Sequence, residues 1–202
     1  MVLILSVLLV LVPLSSSAEP SLVFTAASPG LAELADISVD GDLSLSLQFR
    51  TGASQAQLVY LREQTSGHVI SLSLSDGALH LQVHPDTLIV PGEDVRVDDQ
   101  EWHSLYFNVN GGKFRYIAFK LDDLEMFQSV SDLPLLSNAQ YQTWLGGLPP
   151  SLSEERETGY VGCIRDIRVL DTDRDLQEFE VSGVTVGQCE EEEVGTEDHR
   201  RI

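Results

Sequence analysis

Apolar and polar residues alternate with a period of two through the middle of the chain. Leu43, Leu45, Leu47 and Phe49 fall on one side, with Ser44, Ser46, Gln48 and Arg50 on the other. Ile70, Leu72 and Leu74 alternate with Ser71, Ser73 and Ser75. Asp76-Gly77 then supplies a turn, and Leu79, Leu81 and Val83 resume against His80, Gln82 and His84. Successive side chains of a strand point to opposite faces, so two such runs joined by a glycine-containing turn predict an antiparallel hairpin with one face buried. Leu105, Phe107 and Val109, then Ile117, Phe119 and Leu121, flank Asn110-Gly111-Gly112 and predict a second hairpin, with Asp122-Asp123 as a further turn. Residues 141–145 and 159–170 predict two more strands. Helical periodicity is nearly absent, and 31–36 predicts one short helical turn at most. Many short strands punctuated by turns predict an all-β sandwich or barrel.

The two ends of the chain break this pattern. Residues 2–14 are apolar apart from Ser6 and Pro13, and Ser15, Ser16, Ser17 and Ala18 follow. Small residues at Ser16 and Ala18 fit a signal-peptidase site with Glu19 as the mature N-terminus, although the usual Lys or Arg before the apolar run is missing. The competing readings are a buried strand or a membrane anchor, and an anchor usually needs about 20 apolar residues. The expected organisation is a signal peptide at 1–18, a folded domain at 19–189 and an acidic, disordered tail or linker at 190–202, which has little to bury. No later segment is long and apolar enough to span a bilayer, so the expected location is secreted, or cell-surface within a longer membrane protein.

Charge narrows the partners. The 202 residues carry 32 Asp+Glu against 12 Lys+Arg, a formal −20. Nucleic acid and heparin-like glycans are polyanions bound chiefly through Lys and Arg, and such a surface repels them. Cysteines number two, Cys163 and Cys189. An even pair in an oxidising compartment is most simply one disulfide, closing a loop of about 27 residues and contributing about 3 kcal/mol. Two free buried thiols are the alternative; a metal site lacks any CxxC or Cys/His spacing.

Several motifs, in order, resemble the laminin G or LNS domain, and within it the domains of neurexin-like proteins. Leu47-Gln48-Phe49-Arg50-Thr51 resembles the family's F-R-T strand, and Leu58-Val59-Tyr60 the next strand. Leu72 to Leu79 (Leu-Ser-Leu-Ser-Asp-Gly-Ala-Leu) is similar to its L-x-L-x-D-G-x-L hairpin. Asp98-Asp99-Gln100-Glu101-Trp102-His103 resembles its D-G-x-W-H segment, with Gln100 where Gly is usual. Leu145-Gly146-Gly147-Leu148-Pro149 and Gly159-Tyr160-Val161-Gly162-Cys163-Ile164-Arg165-Asp166 complete the set. The resemblance spans about Phe24 to Cys189. It implies a jelly-roll, concanavalin-like sandwich of two antiparallel sheets, with ligands bound at a loop-lined rim and Cys163 bridged to Cys189. Trp102 is expected to open a strand as a large core anchor.

The resemblance also implies where calcium would sit. The family's principal ligand, an Asp before the L-x-L strand, falls here at His68, and imidazole suits a hard cation poorly. The second ligand, a backbone carbonyl, would fall near Pro85, with Asp86 beside it. The ordinary site is therefore expected to be broken, and no cofactor is implied; a calcium ion near His68, Pro85 and Asp86 is the one candidate. His80 and His84 share a solvent-leaning face, but no spacing forces a third ligand for zinc. His103 is expected at a strand edge, and Asp98-Asp99 and Asp122-Asp123 as turn formers. No GxSxG elbow or Cys/His pair supports catalysis. Asn108, Asn110 and Asn138 each lack Ser or Thr two residues on, so no N-linked acceptor exists.

The expected function is that of an extracellular adhesion or recognition module of neurexin-like type. It would bind a protein partner without calcium through rim loops at 51–57, 64–68, 85–94 and 149–158. The rival is a secreted carrier of a small apolar ligand, similar to sex-hormone-binding globulin, which needs an apolar cavity between the sheets.

Overall fold

The computed structural model describes residues 19–26, 30–83, 87–89, 95–130, 137–152 and 159–189. Fifteen strands among them, numbered in chain order, form two sheets in which every pairing is antiparallel. The first sheet runs β10 (Leu124–Ser129), β9 (Tyr116–Leu121), β8 (His103–Asn110), β3 (Asp42–Thr51), β12 (Gly162–Val169), β1 (Ser21–Phe24) and β15 (Val184–Gly187), with β13 (Thr172–Asp173) alongside β12. The second runs β14 (Phe179–Ser182), β2 (Leu31–Val39), β11 (Ala139–Leu145), β4 (Ala56–Glu63), β5 (Val69–Ser75), β6 (Ala78–Val83) and β7 (Thr87–Ile89). One 3-10 turn, Leu176–Glu178, is capped by Asp175, whose side chain accepts from the Gln177 amide. The result is a jelly-roll sandwich.

The alternating residues of the sequence become the core. Leu43, Leu45, Leu47 and Phe49 of β3 face Leu72, Leu74, Leu79 and Leu81 of the other sheet within one buried apolar cluster. Both predicted hairpins form, β5–β6 around Asp76-Gly77 and β8–β9. Asp76 and Asp122 take left-handed turn conformations at φ 50° and 51°, which Asp tolerates better than most residues.

Residues 31–36 are not helical; they belong to the nine-residue strand β2. The register slips between its partners Tyr141 and Thr143, so Leu34 and Ile37 both reach the core although three residues apart. A β-bulge inserts one residue and restores the inward face at a helix-like spacing, which is why the pattern misleads. β12 bends the same way. Ile164 and Ile167 both point inward, with Asp166 at φ 52° as the extra residue, so Arg165 and Arg168 both pair outward-facing residues of β3.

Candidate functional sites at the two ends of the sandwich

Strand direction divides the candidate loops between opposite ends. β4 leaves the 51–57 loop and finishes at Glu63, directly before the 64–68 turn, so these two loops lie at opposite ends of the sheet. The first end gathers the 51–57 loop, the 76–77 turn, residues 95–104, the Asp122-Asp123 turn and residues 146–152. Backbone bonds lock them: Gly77 N–H donates to Ser54 O (2.9 Å), Val97 N–H to Gly77 O (2.9 Å), Gln100 N–H to Thr51 O (3.0 Å) and Tyr160 N–H to Gly146 O (2.8 Å). Of the expected loops, residues 85–86, 90–94 and 153–158 lie outside the described residues, and 87–89 form strand β7 instead of loop.

His103 sits at this end, at the start of its strand. It opens β8, an interior strand, and is 8% exposed because it continues the inward parity of Leu105 and Phe107. Its ring packs 5.5 Å from that of Phe49. Nδ1 lies 2.8 Å from Asp122 Oδ2 and Nε2 lies 3.0 Å from Asp99 Oδ1. Two carboxylates facing both ring nitrogens require both to donate, which is the imidazolium form. Burial works to lower the His103 pKa; the hydrogen bonds to Asp122 and Asp99 outweigh it and hold the pKa above the ordinary 6.5. The two aspartates also accept from the backbone, Asp122 from Ser104 N–H and Asp99 from Glu101 N–H. They are thus turn residues and the acceptors of a buried cation, a second role that sequence reading missed.

Trp102 takes the opposite parity and lies half-exposed on the outer face, correcting its expected place in the core. The Arg165 guanidinium stacks 4.1 Å from its ring centroid. Such a contact contributes about 0.5–1 kcal/mol at an exposed site.

The Gly159–Asp166 motif resolves into separate jobs. Tyr160 is fully buried, edge-on to Phe24, and its hydroxyl donates to the Arg50 carbonyl (2.8 Å). Gly162 has φ 145°, and a Cβ there would stand 2.1 Å from the Arg50 carbonyl oxygen. Cys163 is bonded to Cys189, with their Cα atoms 6.0 Å apart. This ties β12 to the segment that follows edge strand β15.

The opposite end holds the calcium candidate. His68 lies just before β5 and bonds through Nδ1 to Ser66 Oγ (2.6 Å). The Glu63 carboxylate, the acid nearest in this turn, accepts from both the Ser66 backbone N–H and the Ser66 hydroxyl. Those bonds outweigh burial and hold its pKa down at about 2. The described donors are therefore turned onto one another, and no group of three or more His, Cys, Asp or Glu able to hold a metal occurs among the described residues. Pro85, Asp86 and His84 lie outside those residues; His80 is half-buried on β6. Of the candidate's three positions only His68 is described, and it offers an imidazole nitrogen where a hard cation takes oxygens.

Two cavities of about 300 and 350 Å³ lie on the outer face of the first sheet, around Tyr106 and Lys120, and not between the sheets. No helix among the described residues is long and apolar enough to cross a membrane.

The model of the laminin G domain matches residues 49–172. The chain belongs to the laminin G domain family. Curated relatives include a laminin subunit alpha of Drosophila melanogaster, 27% identical over 145 residues that make up 69% of this chain and 4% of the relative. The cadherin EGF LAG seven-pass G-type receptor 3 of Mus musculus is 29% identical over 65% of this chain and 4% of the receptor. The chain thus spans a small fraction of the relatives it matches. Among solved structures, the LG1-3 region of the laminin alpha2 chain is similar at a TM-score of 0.63 and 22% identity, covering 86% of this chain and 35% of that one. Domains LG4-5 of mouse laminin alpha1 align at 0.66 and 19% identity over 83% and 46%. These likenesses establish the fold of a laminin G domain.

Proposed function

We propose that the chain is an extracellular recognition module of the adhesion type, similar to neurexin-like domains, that binds a protein partner without calcium. The contact is assigned to the end bearing the 51–57 loop. One observation carries this reading: loops from both sheets meet there and are locked by backbone hydrogen bonds, which gives a pre-organised surface. Exposed acids at Asp76, Glu101 and Asp123 gather at that end, beyond Asp99 and Asp122 that pair with His103, and favour a cationic patch on the partner. Laminin G membership supports protein recognition, the apolar leader supports secretion, and the Glu63–Ser66–His68 network supports calcium independence.

The experiment is capture of partners from a panel of displayed receptor ectodomains, with calcium or with chelator. Binding is expected to persist in chelator, to fall with Ser54→Arg and Glu101→Lys, and to survive Gln64→Arg at the far end. Loss of binding in chelator removes the calcium-independent reading. Loss with Gln64→Arg alone moves the contact to the other end.

A further inference from the structure

The outer face of the first sheet carries a trough separate from both ends. Strand parity brings Ser46 and Gln48 of β3 beside Ser104 and Tyr106 of β8 and Lys120 of β9. The bulge in β12 adds Arg168 to the same wall. The two cavities share Tyr106 and Lys120, so they form one trough with Tyr106 at its middle. Each is within the lower range of small-molecule sites, about 300–1,000 Å³. At the outer end Phe127 is 67% exposed, and its ring stacks on Tyr116 at 4.9 Å.

The charges of this wall are already matched. Lys120 Nζ bonds Glu125 Oε1 at 2.7 Å, and the Arg168 guanidinium pairs with Asp173. Among the lining residues, Lys120 and Arg168 balance Asp166 and Glu125, so the trough is formally neutral on a chain of −20. Gln48 Oε1 accepts from Arg165 at 3.0 and 3.1 Å, which leaves its Nε2 donors for a ligand. Burial foremost, then Asp171, Tyr116 and Asp42, raises the Tyr106 pKa, so its hydroxyl stays protonated and both donates and accepts.

From this combination we infer that the trough binds a short neutral oligosaccharide. A pyranose ring offers an apolar C–H face to an aromatic ring and a rim of hydroxyls that each donate and accept. The trough supplies the counterpart of both: the rings of Tyr106 and Phe127, and the short polar groups Ser46, Gln48 and Ser104. A polyanion meets the field of the whole chain, and a cation meets carboxylates that already have partners. Apart from Ser104, where the two regions meet, this site shares no residue with the loops assigned to the protein partner, so each proposal stands or falls alone.

The test is nuclear magnetic resonance titration of the labelled full chain with mannotriose, chitotriose and N-acetyllactosamine, beside sialyllactose as a charged probe. Saturable binding of a neutral sugar is expected, with shifts at the Ser46, Gln48, Ser104 and Tyr106 amides. Tyr106→Ala should weaken it more than about tenfold, or 1.4 kcal/mol. Ser104→Tyr, which fills the trough from an exposed position, should abolish it while the melting temperature holds, which keeps the test valid should Tyr106→Ala fail to fold. Absence of binding by every neutral probe overturns the inference, as do shifts confined to the loop ends or binding of sialyllactose alone. A self-association that buries the trough, abolished by Phe127→Lys and blocking every sugar, overturns it in favour of a second copy of the chain.

Discussion

His103 Nδ1 lies 2.8 Å from Asp122 Oδ2, and this bond fastens the start of β8 to the turn between β9 and β10. With Asp99 on the other nitrogen, the ring is held as a cation between two carboxylates. The folded pKa is raised above 6.5, so the stabilisation is complete below the unfolded value. It is lost as pH rises through the folded one. Thermal melts across neutral pH should therefore show higher stability on the acid side, by on the order of 1 kcal/mol because both carboxylates are nearly half exposed. His103→Gln should flatten that dependence, and an unchanged profile in the variant would assign it elsewhere.

Glu63 gives the opposite sign. Its pKa is lowered from 4.5 to about 2 by the bonds from Ser66, so its contribution is present above 4.5 and is lost as pH falls through about 2. Glu63→Gln should cost about 1–2 kcal/mol and speed amide exchange at Ser66 and Gly67, leaving exchange in β8 unchanged. Protection factors measured near pH 6 check this directly.

The Cys163–Cys189 bridge closes a chain separation of 26 residues. Cys163→Ser with Cys189→Ser should lower stability by about 3 kcal/mol, and reductant should do the same to the parent chain. Denaturant midpoints with and without reductant measure it.

Gly162 has no room for a methyl group. At φ 145°, with the Arg50 carbonyl 2.1 Å from the added Cβ, Gly162→Ala should destabilise by about 2–4 kcal/mol through backbone strain and overpacking combined. Gly67→Ala, at φ 73° with nothing within 4 Å of its Cβ, should cost only the left-handed strain, about 1–2 kcal/mol. Equal costs at the two positions would show that packing plays no part.

How much of this was legible follows from where the period of two survives. β5, β6 and β8 keep unbroken alternation, so their hairpins can be read directly. β2 cannot, because its bulge spaces Leu34 and Ile37 as a helix would. Trp102 misleads because its size suggests the core, whereas it lies half-exposed. Counting back by twos from Leu105 reaches His103 instead, a parity signal that was present and outweighed by residue type. The division of the loops between two ends, and the trough around Tyr106, depend on strand order, which no local pattern encodes. The disulfide was readable from the cysteine count; the pairing of His103 with Asp99 and Asp122 needed the turn after β9 brought back to β8.

Hydrogen exchange of the chain bound to its captured partner, in chelator, tests the central claim most directly. The account predicts a complex that survives without calcium and protects residues 52–55, 76–77 and 98–101. Protection confined to residues 64–68, or a complex that dissolves when calcium is withdrawn, would contradict it.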